Sequence, residues 1–243
     1  MREWQYEPSQ NLSRSIPEKL TVFPRERDMT QSILRGFWSL CLRLCLRMYF
    51  RLKIIGRENL PRDQGFVIVS NHSSHLDALC LLSALPLRSV NRTFAVAAKD
   101  YFFRSFFKSL FSVITVNALP FDREKQQRQS LELCADVLNA ADQGLVMFPE
   151  GSRSLNGEIQ PFKPGIGLLV TGTNRLVVPA YIQGAFEAWA KGNTLPKPKK
   201  VTVTIGRPLE FHDLERNKEN YRLVTRQVEV AVKDLKERGG QHG

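Results

Sequence analysis

The sequence predicts an α/β fold: a mostly parallel mixed sheet covered by helices, with an amphipathic membrane-surface helix at its N-terminal side. Two observations carry the prediction. Short runs of aromatic and β-branched residues, such as Phe66 to Val69 and Leu145 to Phe148, run straight into polar turns, as buried strands do. Between such runs lie longer segments with apolar residues at helical spacing. Strands alternating with helices imply a parallel sheet buried on both faces.

The chain has 243 residues, enough for one such domain with a sizeable core. Its 35 Lys and Arg against 24 Asp and Glu leave a net charge of +11, which favours an anionic partner. That partner is a nucleic acid, a phospholipid surface or a phosphorylated substrate. No nucleic-acid recognition motif appears and the basic residues are interleaved with membrane-suited aromatics, so nucleic acid is not expected. Cys41, Cys45, Cys80 and Cys134 sit in apolar helical patterns without a CxxC pair and read as small core residues of a reduced compartment.

In chain order, residues 1–28 are polar, proline-bearing and aperiodic, a loosely ordered lead-in. Glu3, Glu7, Pro8 and Pro17 break up any secretory pattern there. From Met29 to Lys53 the spacing predicts an amphipathic helix. Leu34, Phe37, Trp38, Cys41, Leu44, Cys45, Met48, Tyr49 and Leu52 share one half, and Arg35, Ser39, Arg43, Arg47 and Arg51 the other. Leu40, Leu46 and Phe50 intrude on the polar half, so part of it is expected to pack on the main body. Two readings fit: an interfacial helix with rings in lipid and arginines on phosphates, or a helix docked on the core with a solvated basic face. The aromatic apolar half and the single sign of charge favour the first. No stretch reaches the ~20 apolar residues that a bilayer crossing needs.

Phe66 to Asp77, FVIVSNHSSHLD, reads as a strand running into a helix, with His72 at the corner and Asp77 in the first helical turn. There Asp77 can fold back onto one ring nitrogen of His72 and leave the other free to take a proton, which builds a general base. Alternatively, Ser74 and Asp77 form a capping box that merely satisfies the helix start. A metal site of His72, His75 and Asp77 would need companions, and the remaining His212 and His242 lie in polar C-terminal stretches.

A short strand near Thr93 to Ala97 comes next, then Lys99 and a segment with Phe102, Phe103, Phe106, Phe107, Leu110 and Phe111 on one side. That side is either core or a rim meeting lipid or an acyl chain. Val113 to Val116 reads as a strand, LPFDR as a loop, and Glu124 to Asp142 as a helix capped by Gly144. Leu145 to Phe148 leads into PEGSRS, where Glu150 and Arg153 could hold a substrate and Gly151 allows close backbone approach. A plain turn with a surface arginine is the alternative. FKPG (162–165) is a further basic turn, Leu176 to Ile182 a strand broken by Pro179, Val201 to Ile205 another strand, and Leu214 to Glu237 a charged helix.

Together these residues resemble the glycerolipid acyltransferase family typified by 1-acyl-glycerol-3-phosphate acyltransferases. Its NHxxxxD block is matched by Asn71, His72 and Asp77, and its Phe-acidic-Arg block by Phe121, Asp122 and Arg123. Its FPEGTRS block is matched from Phe148 to Ser154 with Ser152 for Thr, and a block ending at a proline by Val177, Val178 and Pro179. The resemblance implies a 54–243 acyltransferase domain behind the lead-in and the 29–53 helix. It implies acyl transfer from acyl-CoA or acyl carrier protein to the free hydroxyl of lysophosphatidic acid, without metal or other cofactor. Glycerol 3-phosphate, other lysolipids, transacylation and a non-catalytic lipid-binding role are the alternatives. By position, His72 would be the base and Asp77 its orienting partner. Arg123, Glu150, Gly151 and Arg153 would surround the acceptor's phosphate, with Lys99 and Lys163 as further phosphate contacts. The implied setting is monotopic or peripheral on the cytoplasmic side of a membrane.

Overall fold

The computed structural model describes residues 29–62, 64–98, 116–121, 127–139 and 142–240. Helix α1 (Met29–Tyr49) precedes β1 (Lys53–Ile55), β2 (Phe66–Ser70), α2 (Asp77–Ala84), α3 (Leu87–Val90), β3 (Thr93–Ala98) and β4 (Leu119–Phe121). Then come α4 (Gln127–Asn139), β5 (Gly144–Met147), α5 (Gly165–Val170), β6 (Leu176–Gln183), α6 (Ala185–Trp189), β7 (Thr202–Ile205) and α7 (Lys218–Gly240). The described strands form one seven-stranded sheet in the order β1-β7-β6-β2-β5-β3-β4. Every neighbouring pair is parallel except β6 with β7, so the predicted mixed, mostly parallel sheet is what forms.

The central strand β2 is buried at every position. Because successive side chains of a strand point to opposite faces, it feeds two cores. Phe66 and Ile68 pack with Leu46, Phe50, Cys80 and Leu81 under α1 and α2. Val67 and Val69 pack with Val137, Ile166, Val224 and Val228 under α4, α5 and α7. The sheet is therefore covered on both sides, and its turns after β2, β5 and β6 share one edge.

Several expectations change. Helix α1 stops at Tyr49 rather than at Lys53, because Arg51 takes a left-handed conformation (φ 49°) and the Leu52 N–H returns to the Leu46 carbonyl at 3.1 Å. Lys53 then opens β1. LPF is strand β4, not a loop; Pro120 is tolerated there because β4 is the edge of the sheet among the described residues. Gly144 opens β5 and is no helix cap: a Cβ there would lie 2.7 Å from the Phe66 ring. Pro179 does not break β6, which runs unbroken for eight residues. It sits where the β7 ladder gives way to the separate Val177–Leu209 bridge, so its missing N–H costs no ladder bond. Helix α7 starts at Lys218 instead of Leu214, with the Asn217 side chain accepting from the Asn220 N–H at 2.8 Å as its cap. The 1–28 lead-in, the phenylalanine-rich 101–111 segment and all but Val116 of the strand expected at 113–116 lie outside the described residues.

In α1 part of the polar half packs on the main body, as the sequence suggested, while two arginines, two cysteines and Leu40 depart from expectation. Ser39, Leu46 and Phe50 are buried, and Arg43 turns inward to donate to the Leu85 carbonyl at 2.5 Å. Burial also pulls the Arg35 guanidinium down to about 10, so Arg35 and Arg43 are not the outward phosphate contacts expected of them. Phe37, Leu40, Leu44 and Met48, spaced by three and four residues, are more than half exposed. Cys41 and Cys45 are exposed on that outward side instead of in the core; Cys80 and Cys134 are buried as expected. The helix thus docks by a mixed stripe and turns an apolar one outward, the opposite of the usual arrangement.

Candidate active site

The parallel register aligns the carboxyl ends of β2, β5 and β6, where ligands of open α/β sheets bind. The turn after β2 is pinned first by Asn71. Its side-chain oxygen accepts the Ile182 N–H at 2.8 Å while its amide donates to the Ile182 carbonyl at 3.0 Å. These two bonds anchor the turn to β6 and leave the next residue, His72, projecting from the sheet edge.

His72 Nδ1 lies 2.8 Å from Asp77 Oδ2. The same oxygen accepts the Ser73 N–H at 2.7 Å and the Ser74 N–H at 2.8 Å. The two readings of this motif are therefore not exclusive: one carboxylate oxygen satisfies the helix start and also orients the imidazole. The capping box is only half formed, since the Ser74 hydroxyl accepts from the Leu76 N–H. Asp77 is fully buried, whereas the His72 side chain is 17% exposed. The imidazole stacks on Phe148 at 4.1 Å with 16° between the planes, and Nε2 has no partner among the described residues. An imidazole held at Nδ1 by a carboxylate presents Nε2 as a proton acceptor.

The turn after β5 meets this one. Glu150 Oε1 accepts the His72 N–H at 2.8 Å, and the Ser154 N–H donates to the His72 carbonyl at 2.8 Å. Glu150 is only 5% exposed, and its Oε1 grips the backbone of the histidine turn. Burial pushes its carboxyl up to about 7; the N–H groups of His72 and Gln160 pull the other way, and the charge on Asp77 adds to the rise. Gly151 has φ 77°, and a Cβ on it would lie 2.7 Å from Lys163 Nζ, so the lysine's amino end crosses that glycine. The Lys163 N–H donates to the Pro149 carbonyl at 3.0 Å, which ties FKPG to the same turn.

Arg153 reaches His75, with Nη1 at 2.6 Å from Nδ1 and 2.5 Å from Nε2. Burial and then the Arg153 charge lower the His75 proton affinity. His75 also faces Trp189 with ring centres 5.0 Å apart, and its N–H donates to the Trp189 carbonyl at 3.2 Å. Of the residues singled out from sequence, the structure gathers His72, Asp77, Glu150, Gly151, Arg153 and Lys163 at one sheet edge. Lys99 and Arg123 lie outside the described residues. Sequence reasoning assigned no role to Asn71, Phe148 or Trp189. Asn71 was inside a recognised block; Trp189 carried no signal, since its carbonyl meets the Ser74 hydroxyl from 115 residues away.

A model of the Acyltransferase family matches residues 51–183, more than half of the chain. The chain belongs to this acyltransferase family. It is 29% identical over 202 residues to the 1-acyl-sn-glycerol-3-phosphate acyltransferase of Bacillus subtilis, covering 82% of this acyltransferase chain and 95% of the relative. The enzyme of that name from Limnanthes douglasii is 29% identical over 164 residues, which are 67% of this chain and 56% of the relative. The chain thus spans little more than half the length of such plant relatives. Among solved structures, the 1-acyl-sn-glycerophosphate (LPA) acyltransferase PlsC from Thermotoga maritima superposes with a TM-score of 0.62 at 22% identity. The match covers 87% of this chain and 84% of that one, and shows that the fold is shared.

Proposed function

We propose that the protein moves a fatty acyl group from a thioester, carried by coenzyme A or acyl carrier protein, to the free hydroxyl of lysophosphatidic acid, giving phosphatidic acid. The observation that carries this reading is the His72–Asp77 contact at 2.8 Å with Nε2 left open. An alcohol is a poor nucleophile at neutral pH, and a positioned base contributes about 10²–10⁴-fold. His72 Nε2 takes the hydroxyl proton as the oxygen attacks the thioester carbonyl, and Asp77 balances the imidazolium that forms. Collapse of the tetrahedral adduct breaks the carbon–sulfur bond, and the imidazolium proton goes to the leaving thiolate. The thioester brings its own leaving group, so the step calls on no resident cofactor. Arg153 offers a charge-assisted grip on the acceptor phosphate, with Lys163 and Arg123 as further contacts.

The acceptor is a membrane lipid, and the outward apolar stripe of α1 supports a monotopic or peripheral seat on the bilayer. Among the described residues no helix is long and apolar enough to cross it. Two exposed free thiols, Cys41 and Cys45, suit the cytoplasmic side, where thiols stay reduced. The test is thiol release from acyl-CoA in the presence of lysophosphatidate. Wild type turns over; His72→Ala does not, while its urea unfolding and vesicle binding stay at wild-type levels. Equal turnover by both proteins refutes the proposed role of His72.

A further inference from the structure

The segment between α6 and β7, residues 190–201, links the candidate site to the membrane helix. At one end, Ala190 pairs with Ser74, and the Trp189 carbonyl holds the His75 N–H and the Ser74 hydroxyl. At the other, the Tyr49 hydroxyl donates to the Pro196 carbonyl at 3.2 Å and Arg51 donates to the Pro198 carbonyl at 3.4 Å. The Val201 N–H closes this end on the Phe50 carbonyl at 3.0 Å. These bonds hold the segment against the C-terminal end of α1, where Tyr49 and Met48 continue the outward apolar stripe.

The composition of the segment is one-sided. Lys191, Lys197, Lys199 and Lys200 are all exposed, no acidic residue lies between Lys191 and Lys200, and none of the four lysines has a salt-bridge partner among the described residues. Leu195 stands 75% exposed among them. Two prolines, Pro196 and Pro198, stiffen the run by fixing their own φ angles. An exposed leucine flanked in sequence by unpaired lysines, in a segment hydrogen-bonded beside an apolar helix face, matches a surface that is apolar below and anionic above.

We propose that residues 191–200 are a second membrane contact, which reads anionic phospholipid headgroups and docks the mouth of the site on the bilayer. The proposal rests on the membrane seat proposed for α1. It assigns the two elements different tasks: the helix supplies burial in acyl chains, and the loop supplies selectivity for negatively charged lipid.

The experiment compares binding of the full chain to vesicles of phosphatidylcholine alone and to vesicles of phosphatidylcholine mixed with phosphatidylglycerol. Wild type binds the mixed vesicles more tightly, and added salt erodes the difference. The K191Q/K197Q/K199Q/K200Q variant loses roughly fivefold for each lysine, on the order of several hundredfold for all four, on mixed vesicles and nothing on neutral ones. A control that removes equal charge from the opposite face of the sheet, K218Q/R222Q/R226Q/R238Q on α7, keeps the preference. No lipid preference in wild type, an unchanged preference in the loop variant, or an equal loss in the control overturns the proposal. Turnover plays no part in this readout, so anionic vesicle binding without thiol release would sink the acyltransferase reading and leave the loop's role standing.

Discussion

Replacing Glu150 tests how the two turns hold each other. Its carboxyl is buried and stands at about 7 in the folded chain against an ordinary 4.5. A proton affinity raised on folding stabilises the native state fully below the ordinary value and is lost as pH rises through the folded one. The window therefore runs from about pH 4.5 to about 7. Each tenfold change in affinity is worth about 1.4 kcal/mol, so wild type should lose on the order of 2–3 kcal/mol between about pH 5 and about pH 8 from this group. Glu150→Gln cannot titrate. Urea unfolding at both pH values should show the wild-type curve falling relative to the variant by that amount, and parallel pH profiles would refute a buried, proton-binding carboxyl. Kinetics supply the second half of the test. Glu150→Ala removes the acceptor for the His72 N–H at 2.8 Å, so kcat should fall about 10–100-fold, the range a slightly misplaced base produces. KM for lysophosphatidate should stay where it is. A raised KM with an unchanged kcat would mean that Glu150 touches the acceptor after all.

Asp77→Asn leaves one oxygen and an amide where a carboxylate accepted from His72, Ser73 and Ser74. Thiol release should drop about 10²–10⁴-fold and unfolding free energy by about 2–3 kcal/mol; a wild-type kcat contradicts the orienting role. Gly151→Ala forces a Cβ onto a φ of 77° and should cost about 1–2 kcal/mol by urea unfolding. Adding Lys163→Ala relieves the contact but not the backbone strain, so the loss should persist in the double variant. On α1, Leu46→Ala should cost about 2–5 kcal/mol, since Leu46 is 1% exposed and leaves a cavity. Leu44→Ser, on the outward stripe, should move stability by less than about 0.5 kcal/mol yet weaken vesicle binding. Equal effects of the two on unfolding would contradict the orientation of the helix.

The sheet was legible because burial on both faces leaves a plain mark: near-continuous apolar runs at Phe66 to Val69, Leu145 to Phe148 and Leu176 to Ile182, the first two closed by polar turns. Strand β4 was not legible, since Pro120 argues for a loop unless one knows that the strand lies at an edge. The break expected at Pro179 fails for a related reason, because only the pairing pattern tells whether the missing N–H was needed. Half of the site was readable from the five-residue spacing of His72 and Asp77. The spacing could not tell that one carboxylate oxygen would take three donors, or that Glu150 would turn from solvent to grip the histidine's own backbone.

By itself the sequence determined the α/β class, the family blocks and the two turns that carry chemistry, because period, turn residues and motif spacing are local properties of the chain. Only the tertiary structure decided which stripe of α1 faces outward, that Trp189 closes on His75, and that a lysine loop joins the site to the helix. Those outcomes depend on which surfaces meet across gaps of 42 to 147 residues, and a helical wheel assigns two faces without saying which one the core will take.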